Sequence, residues 1–280
     1  MSSDAAASWR SRAQVLVRRG QECLVIPDQD LFAWSAGLGL PAWQAFAMAL
    51  AAGILPASLE RNFPALGLKE QLRLWHCSAL IVGLGGLGGF QATLLARLGI
   101  GRLLLADGDA FSLTNLNRQL FATPATLGRN KAVTAAQHLQ AVHPALQVVA
   151  MDHYLNAANL PAYLAQSQVA LDALDSLPAR RDLFAAAQAA GVPLVHGAVQ
   201  GVSCQVTTIL PGDGDVYQEL YGAAPADAGS PEVLAPIVSL TASLQVQEAV
   251  RLLLGRPPAY HRLLAYMDGE LGRLELLPLD

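Results

Sequence analysis

Short apolar runs alternate with longer Ala-rich stretches along most of this chain. Ala79 to Val82, Leu103 to Ala106, Val148 to Met151, Val169 to Leu174 and Leu194 to Val195 read as strands. Helices fill the intervals, the apolar stretch Phe90 to Leu98 being the first. This alternation predicts an α/β fold, a Rossmann-like parallel sheet flanked by helices. Beyond residue 201 the pattern changes. Ser203 to Leu210 reads as a strand, Pro211 to Pro231 as a Gly/Pro/Asp-rich loop and Ala235 to Leu254 as a helix. A final hairpin, Leu263 to Met267 and Leu271 to Leu277, turns at Asp268-Gly269. Antiparallel strands are thus expected to extend the sheet on its C-terminal side. Residues 1–60 form a helical N-terminal leader, with a polar Ala/Ser-rich start and short helices around Asp30 to Ala36 and Pro41 to Ala52. Residues 61–280 are expected to form the main domain.

The strand Ala79 to Val82 breaks into spaced glycines. Gly83, Gly85 and Gly88 fit G-x-G-x-x-G, with Gly86 inside the same turn. Missing Cβ atoms there permit a tight turn, close backbone approach to a phosphate and helix-on-strand packing. The second strand ends at Asp107, about 20 residues on, where a carboxylate can bind ribose hydroxyls. Those features alone fit a nicotinamide-dependent oxidoreductase as well as an ATP enzyme.

Composition excludes several other classes. The chain has 280 residues, is 53% hydrophobic and 14% charged, and carries a net charge of −4. Its mean hydropathy is +0.34 and its pI is near 5.8. With no long basic run, it shows no electrostatic sign of nucleic-acid binding. The apolar stretch Ala45 to Leu55 ends at Pro56, too short to span a bilayer and too far along for a signal peptide. Cys23, Cys77 and Cys204 are widely separated and form no C-x-x-C pair, which points to a reducing cytoplasm.

After Asp107 the chain departs from a dehydrogenase. Asp107-Gly108-Asp109 is followed by Thr114-Asn115-Leu116-Asn117-Arg118-Gln119, by Gly128-Arg129-Asn130-Lys131 and by Asp172-Ala173-Leu174-Asp175. The series resembles the ThiF/MoeB/HesA family, relatives of the ubiquitin-activating enzymes, from about Arg61 to near the C-terminus. The resemblance implies an ATP-dependent adenylyltransferase. It would activate the C-terminal glycine of a small ubiquitin-like sulfur-carrier protein ending in Gly-Gly, for thiamine, molybdopterin or another sulfur-requiring pathway.

The resemblance also assigns residues. Asp107 holds the ribose and Asp109 lies close to the nucleotide, while Asn115, Arg118 and Lys131 reach the phosphates. Asp175 holds Mg²⁺, and Gln119 and Asn117 orient the loop. Arg61 is the candidate arginine finger, reaching the phosphates of the other subunit in a homodimer. Each residue also has a structural role to weigh: a surface charge for Arg61, Arg118 and Lys131, a turn for Asp107 and a helix cap for Asp175. His196 reads as a core histidine and Cys204 as a buried small hydrophobe. Many relatives carry two C-x-x-C pairs that bind structural zinc. Here Tyr217-Gln218-Glu219-Leu220-Tyr221 stands at the first place and the second is missing, so no structural zinc is expected. No cysteine lies between Gly212 and Leu234 to link covalently with a carrier, so the expected product is a free acyl adenylate. The missing cysteines and the unfamiliar leader leave a catalytically silent carrier-binding subunit as a further alternative, against which the intact phosphate and metal set argues.

Overall fold

The computed structural model describes residues 3–222 and 232–279. Part of the expected Pro211 to Pro231 loop therefore lies outside the described residues. The rest of it is not all loop, because Val216–Tyr221 forms a short helix.

The leader holds helices α1 (Ser3–Arg12), α2 (Asp28–Gly37) and α3 (Ala42–Ala51), the last two at the expected places. It also contains a sheet that the hydrophobic pattern did not disclose. Strands β1 (Gln14–Arg18) and β2 (Gln21–Ile26) form a hairpin, and β3 (Ile54–Pro56) pairs in parallel with β2. A separate core of Trp9, Phe46, Leu50, Ile54 and Leu59 joins these elements and extends onto Trp75. Trp75 belongs to α4 (Leu68–Trp75), and its indole Nε1 donates to the Trp43 carbonyl at 3.0 Å. The leader is thereby packed onto the main domain.

The main sheet contains β4 (Ser78–Val82), β5 (Arg102–Ala106), β6 (Gln147–Met151), β7 (Val169–Asp172), β8 (Leu194–Gln200), β9 (Ser203–Ile209), β10 (Leu263–Asp268) and β11 (Arg273–Pro278). Their spatial order is β11-β10-β9-β8-β7-β4-β5-β6. The five strands from β8 to β6 are parallel, and β9, β10 and β11 add antiparallel pairings. Every residue of β4 is buried, as a central parallel strand covered on both faces requires.

Helices α5 (Gly86–Leu98), α6 (Lys131–Val142) and α10 (Ala235–Leu253) cover one face; α7 (Leu160–Leu164), α8 (Leu177–Ala190) and α9 (Val216–Tyr221) cover the other. The chain runs outward from β4 to β5 and β6, then returns to start again at β7 on the other side. Between β4 and β7 the strand order reverses, and connections leave in opposite directions from the carboxyl ends. Such a switch point is where open α/β sheets bind ligands.

Candidate active site

The glycine turn leaves β4 at this switch point. Gly83 has φ +94, and a Cβ placed on it would lie 2.6 Å from the Ala173 carbonyl oxygen at the end of β7. A Cβ on Gly88 would lie 1.8 Å from the Gly83 carbonyl oxygen. Both positions need glycine because backbone, not a movable side chain, occupies the space. Gly85 caps α5 and Gly86 opens it, so the amino end of this 13-residue helix faces the crevice with unpaired N–H groups.

Asp107 binds that turn to the end of β5. One carboxylate oxygen accepts from Leu84 N at 2.6 Å, and the other accepts from Asp109 N at 2.8 Å. Burial pushes its pKa upward, against the pull of Lys131 and these two amides. A carboxylate has about four lone-pair positions, so two remain open toward the crevice.

Asp109 and Lys131 meet as an ion pair at 2.8 Å. Asn130 positions the lysine: its Oδ1 accepts from Val133 N at 3.0 Å and caps α6, while its Nδ2 donates to the Asp107 carbonyl at 2.9 Å. Lys131 N also donates to the Asp109 carbonyl at 2.9 Å. Burial opposes ionisation of Asp109, but hydrogen bonds from Lys131 and Tyr154 prevail and hold its carboxyl below the ordinary value. Tyr154, which the sequence reading did not single out, donates to Asp109 Oδ1 and lays its ring against Gly108. It stands just past the carboxyl end of β6, as Asp107 does for β5; that shared edge position was its only signal in the sequence.

The Thr114 to Gln119 segment covers the amino end of α5. Arg118 donates through Nη1 to the Thr114 carbonyl and to Asn117 Oδ1, both at 3.0 Å. Its Cγ lies 3.9 Å from the position of a Gly86 Cβ, and Gln119 Nε2 lies 3.3 Å from that of Gly85. Asn115 is buried and turned inward, accepting from Ser112 N at 3.0 Å. Its visible work is to close the turn that presents Arg118.

Asp175 stands across the crevice on the turn after β7. It is exposed and makes no hydrogen bond or ion pair among the described residues. Ser176, not Asp175, occupies the N-cap of α8. No group of three or more His, Cys, Asp or Glu side chains converges among the described residues. A free carboxylate nevertheless fits Mg²⁺, which keeps several waters and takes one or two carboxylates beside substrate phosphates.

Behind this turn lies a buried polar cluster that sequence reasoning missed. Asp172 is fully buried, and its Oδ2 receives Tyr217 Oη at 2.6 Å, His196 Nδ1 at 2.7 Å and Arg180 Nη1 at 3.2 Å. Its Oδ1 accepts from Leu174 N at 3.0 Å, while Arg180 Nη2 donates to the Leu174 carbonyl. Burial disfavours the Asp172 charge, but Arg180, His196 and Tyr217 overcome it and lower the pKa to about 2. Burial lowers the His196 pKa, leaving a neutral ring. With Nδ1 protonated toward Asp172, its Nε2 accepts from Tyr221 Oη at 2.9 Å. His196 is thus in the core, with a structural partner. Cys204 is also buried.

Arg61 lies apart from this group, exposed on the turn Ala57–Asn62. It faces a pocket of about 370 Å³ lined by Arg18, Arg19, Phe63, Pro64 and Ala65. Within one chain the structure brings together the glycine turn, Asp107, Asp109, Arg118, Gln119 and Lys131, with Asp175 exposed on the turn after the neighbouring strand β7, but not Arg61.

No helix among the described residues is long and apolar enough to cross a membrane. The ThiF family profile matches residues 58–278. The molybdopterin-synthase adenylyltransferase of Escherichia coli K12 is 35% identical over 192 residues, covering 67% of this chain and 77% of the relative. The sulfur carrier protein ThiS adenylyltransferase of the same organism is 33% identical over 197 residues, covering 68% and 77%. Among solved structures, E. coli MccB with ATP superposes with a TM-score of 0.66 at 18% identity, covering 89% of this chain and 82% of that one, a likeness of fold. The switch-point glycine turn, the βαβ order and these matches agree: the chain belongs to the ThiF family.

Proposed function

We propose that this adenylyltransferase of the ThiF family activates the C-terminal glycine carboxylate of a small ubiquitin-like sulfur-carrier protein ending in Gly-Gly. One observation carries the reading: Arg118 lies against the open amino end of α5, Lys131 is held on Asp109 next to the Asp107 carboxylate that binds the same glycine turn, and Asp175 follows the neighbouring strand β7 as an exposed carboxylate. The curated relatives activate molybdopterin synthase or the ThiS carrier by their names, which supports the substrate class.

In the reaction, a carboxylate oxygen of the carrier attacks the α-phosphorus of ATP. The bond from that phosphorus to the bridging oxygen breaks, and pyrophosphate leaves with the electron pair. Negative charge grows on the departing group, so the site must supply positive charge there. Arg118, Lys131 and the α5 amides do this, while Asp107 orients the ribose. Asn115 and Gln119 hold the covering loop. Asp175 would hold Mg²⁺, which when bound neutralises phosphate oxygens. The released product is a free acyl adenylate.

The family match to residues 58–278 supports a leader of residues 1–60 and an adenylation domain of residues 61–280. Arg61, remote from the site of its own chain, suits a homodimer in which it reaches the phosphates of the second copy. We place the enzyme in the cytoplasm, where its three free thiols stay reduced. Nothing beyond the glycine turn and Asp107 favours an oxidoreductase.

The test is ATP–pyrophosphate exchange with Mg²⁺ and carriers ending in Gly-Gly, of the thiamine and molybdopterin kinds. Carrier-dependent exchange is expected. ATP binding with no exchange on any carrier would leave a silent carrier-binding subunit instead.

A further inference from the structure

The pocket beside Arg61 is assembled from the leader hairpin and the segment that directly follows the leader. Arg18 and Arg19 end the β1–β2 hairpin, while Arg61, Phe63, Pro64 and Ala65 follow β3. Of the three arginines only Arg18 is neutralised, pairing with Glu60 at 2.5 Å. Glu60 directly precedes Arg61, so this ion pair binds the hairpin tip to the turn that carries Arg61. Neither Arg19 nor Arg61 has a hydrogen bond or ion pair among the described residues.

The conformation of Arg19 is unusual for its type. Arg18 pairs with Gln21, leaving Arg19 and Gly20 as a two-residue loop with φ +48 and +74. Positive φ at both positions is the type I′ pattern, for which Asn, Asp and Gly are the favoured residues. An arginine accepts that backbone against the steric preference of its Cβ. The hairpin turn would form more easily without it, and what Arg19 adds is a second free guanidinium facing a concave apolar floor.

Two free guanidinium groups in a pocket of about 370 Å³ suit a small, multiply charged anion. A linear phosphate chain offers oxygen pairs that match the guanidinium fork, and its several charges favour two cations at once. The acidic balance of the chain as a whole, −4, shows that this cationic spot is local and not part of a broad polyanion surface.

We propose that Arg19 and Arg61 together form a polyphosphate-binding pocket, with the leader hairpin supplying the second arginine. This rests on the reading of Arg61 as a phosphate ligand and extends it to a residue outside the matched family region. The phosphate chain belongs either to the nucleotide in a second copy or to a free polyphosphate.

The experiment is residue-resolved phenylglyoxal modification of the full chain, read by peptide mass spectrometry, with and without inorganic tripolyphosphate. Modification of Arg19 and Arg61 is expected to slow by about tenfold on occupancy, while exposed Arg273 is unaffected. Unprotected Arg19 would overturn the proposal. Arg118 reports separately on the adenylation site: protection of Arg118 without Arg19 leaves the proposed function standing and removes the pocket, while protection of Arg19 without Arg118 keeps the pocket and leaves the function to the exchange assay. Mixed dimers of Arg19→Gln and Lys131→Ala subunits then identify the source. Exchange lost in Arg19→Gln homodimers and recovered in the mixed dimers assigns the phosphates to the nucleotide of the second copy; wild-type exchange in Arg19→Gln homodimers, with Arg19 of the wild type still protected by tripolyphosphate, assigns a free polyphosphate.

Discussion

Asp172→Asn tests whether the buried cluster holds the catalytic turn. In the folded protein the Asp172 pKa is lowered to about 2 from 3.8. At about 1.4 kcal/mol per unit, the ionised form gains on the order of 2 kcal/mol from its surroundings. Asparagine keeps the shape but loses the charge, leaving Arg180, 8% exposed at its side chain, without a counter-ion. Removing one partner of a buried pair costs about 3–5 kcal/mol, equivalent to roughly 10 °C in melting temperature for a domain of this size. The pH dependence gives a second check. Because the folded pKa lies below the unfolded one, the contribution is complete above about pH 4 and lost as pH falls through about 2. Urea midpoints of wild type and variant should therefore differ by a constant amount from pH 7 to pH 5 and converge below pH 4. As Asp172 and Arg180 hold both backbone groups of Leu174, the KM for Mg²⁺ should also rise more than kcat falls, through displacement of Asp175. Equal midpoints at pH 7, or a gap that closes near neutrality, would refute the reasoning.

Other substitutions separate chemistry from scaffolding. Lys131→Ala should lower exchange by about 10²–10³ while costing about 1 kcal/mol of stability, because half-exposed Asp109 regains water. Asp175→Ala should abolish Mg²⁺-dependent exchange and leave the unfolding free energy within about 0.5 kcal/mol, since the exposed carboxylate makes no hydrogen bond or ion pair among the described residues; unchanged exchange in both variants would sink the site assignment. Gly88→Ala would gain about 1 kcal/mol in an unconstrained helix, but its Cβ meets the Gly83 carbonyl. A loss of about 1–3 kcal/mol is expected instead, together with weaker ATP binding, and a higher melting temperature would contradict the packing. His143 is buried between Phe46 and Trp75, neither ring nitrogen has a hydrogen-bond partner among the described residues, and burial lowers its pKa. Unfolding lets it protonate, so wild type should lose up to about 1.4 kcal/mol per pH unit below pH 6.5 from this group. His143→Phe should flatten that part of the stability curve, and an unaltered slope would show the ring to be solvated.

The glycine turn and its bond to Asp107 were legible because their parts are local. An apolar strand, a glycine turn and a terminal carboxylate lie in one short stretch, and the strand alternation already implies the parallel sheet that creates the crevice. The leader sheet was less legible. Gln14–Arg18 and Gln21–Ile26 are short, and the Arg19-Gly20 turn lacks the Asn-Gly or Asp-Gly signal that marks a tight hairpin. Helix α9 was hidden in a loop-like composition. It forms because Asp215 caps Gln218 N at 2.9 Å and because Tyr217 is wholly buried against Asp172.

The two aspartates after Val169 show what sequence alone leaves undecided. Asp172 and Asp175 stand three residues apart in one motif, and either could be assigned to a metal from chemistry alone. The resemblance selected Asp175, and the structure gives the pair opposite environments. Asp172 is the last residue of β7 and turns inward, where Arg180, His196 and Tyr217 converge from α8, β8 and α9. Those partners are separated from it by up to 45 positions, so no window of sequence contains the cluster. Asp175 lies beyond the strand, on a turn whose backbone is held at Leu174 by Asp172 and Arg180. An exposed carboxylate can serve a metal only if its turn is fixed, and a turn with an exposed carboxylate cannot fix itself by burial. The tyrosines of Tyr217-Gln218-Glu219-Leu220-Tyr221 supply that support from behind, where many relatives carry a zinc-binding pair of cysteines. Breaking the inner carboxylate should therefore impair the outer one, although the two side chains share no hydrogen bond.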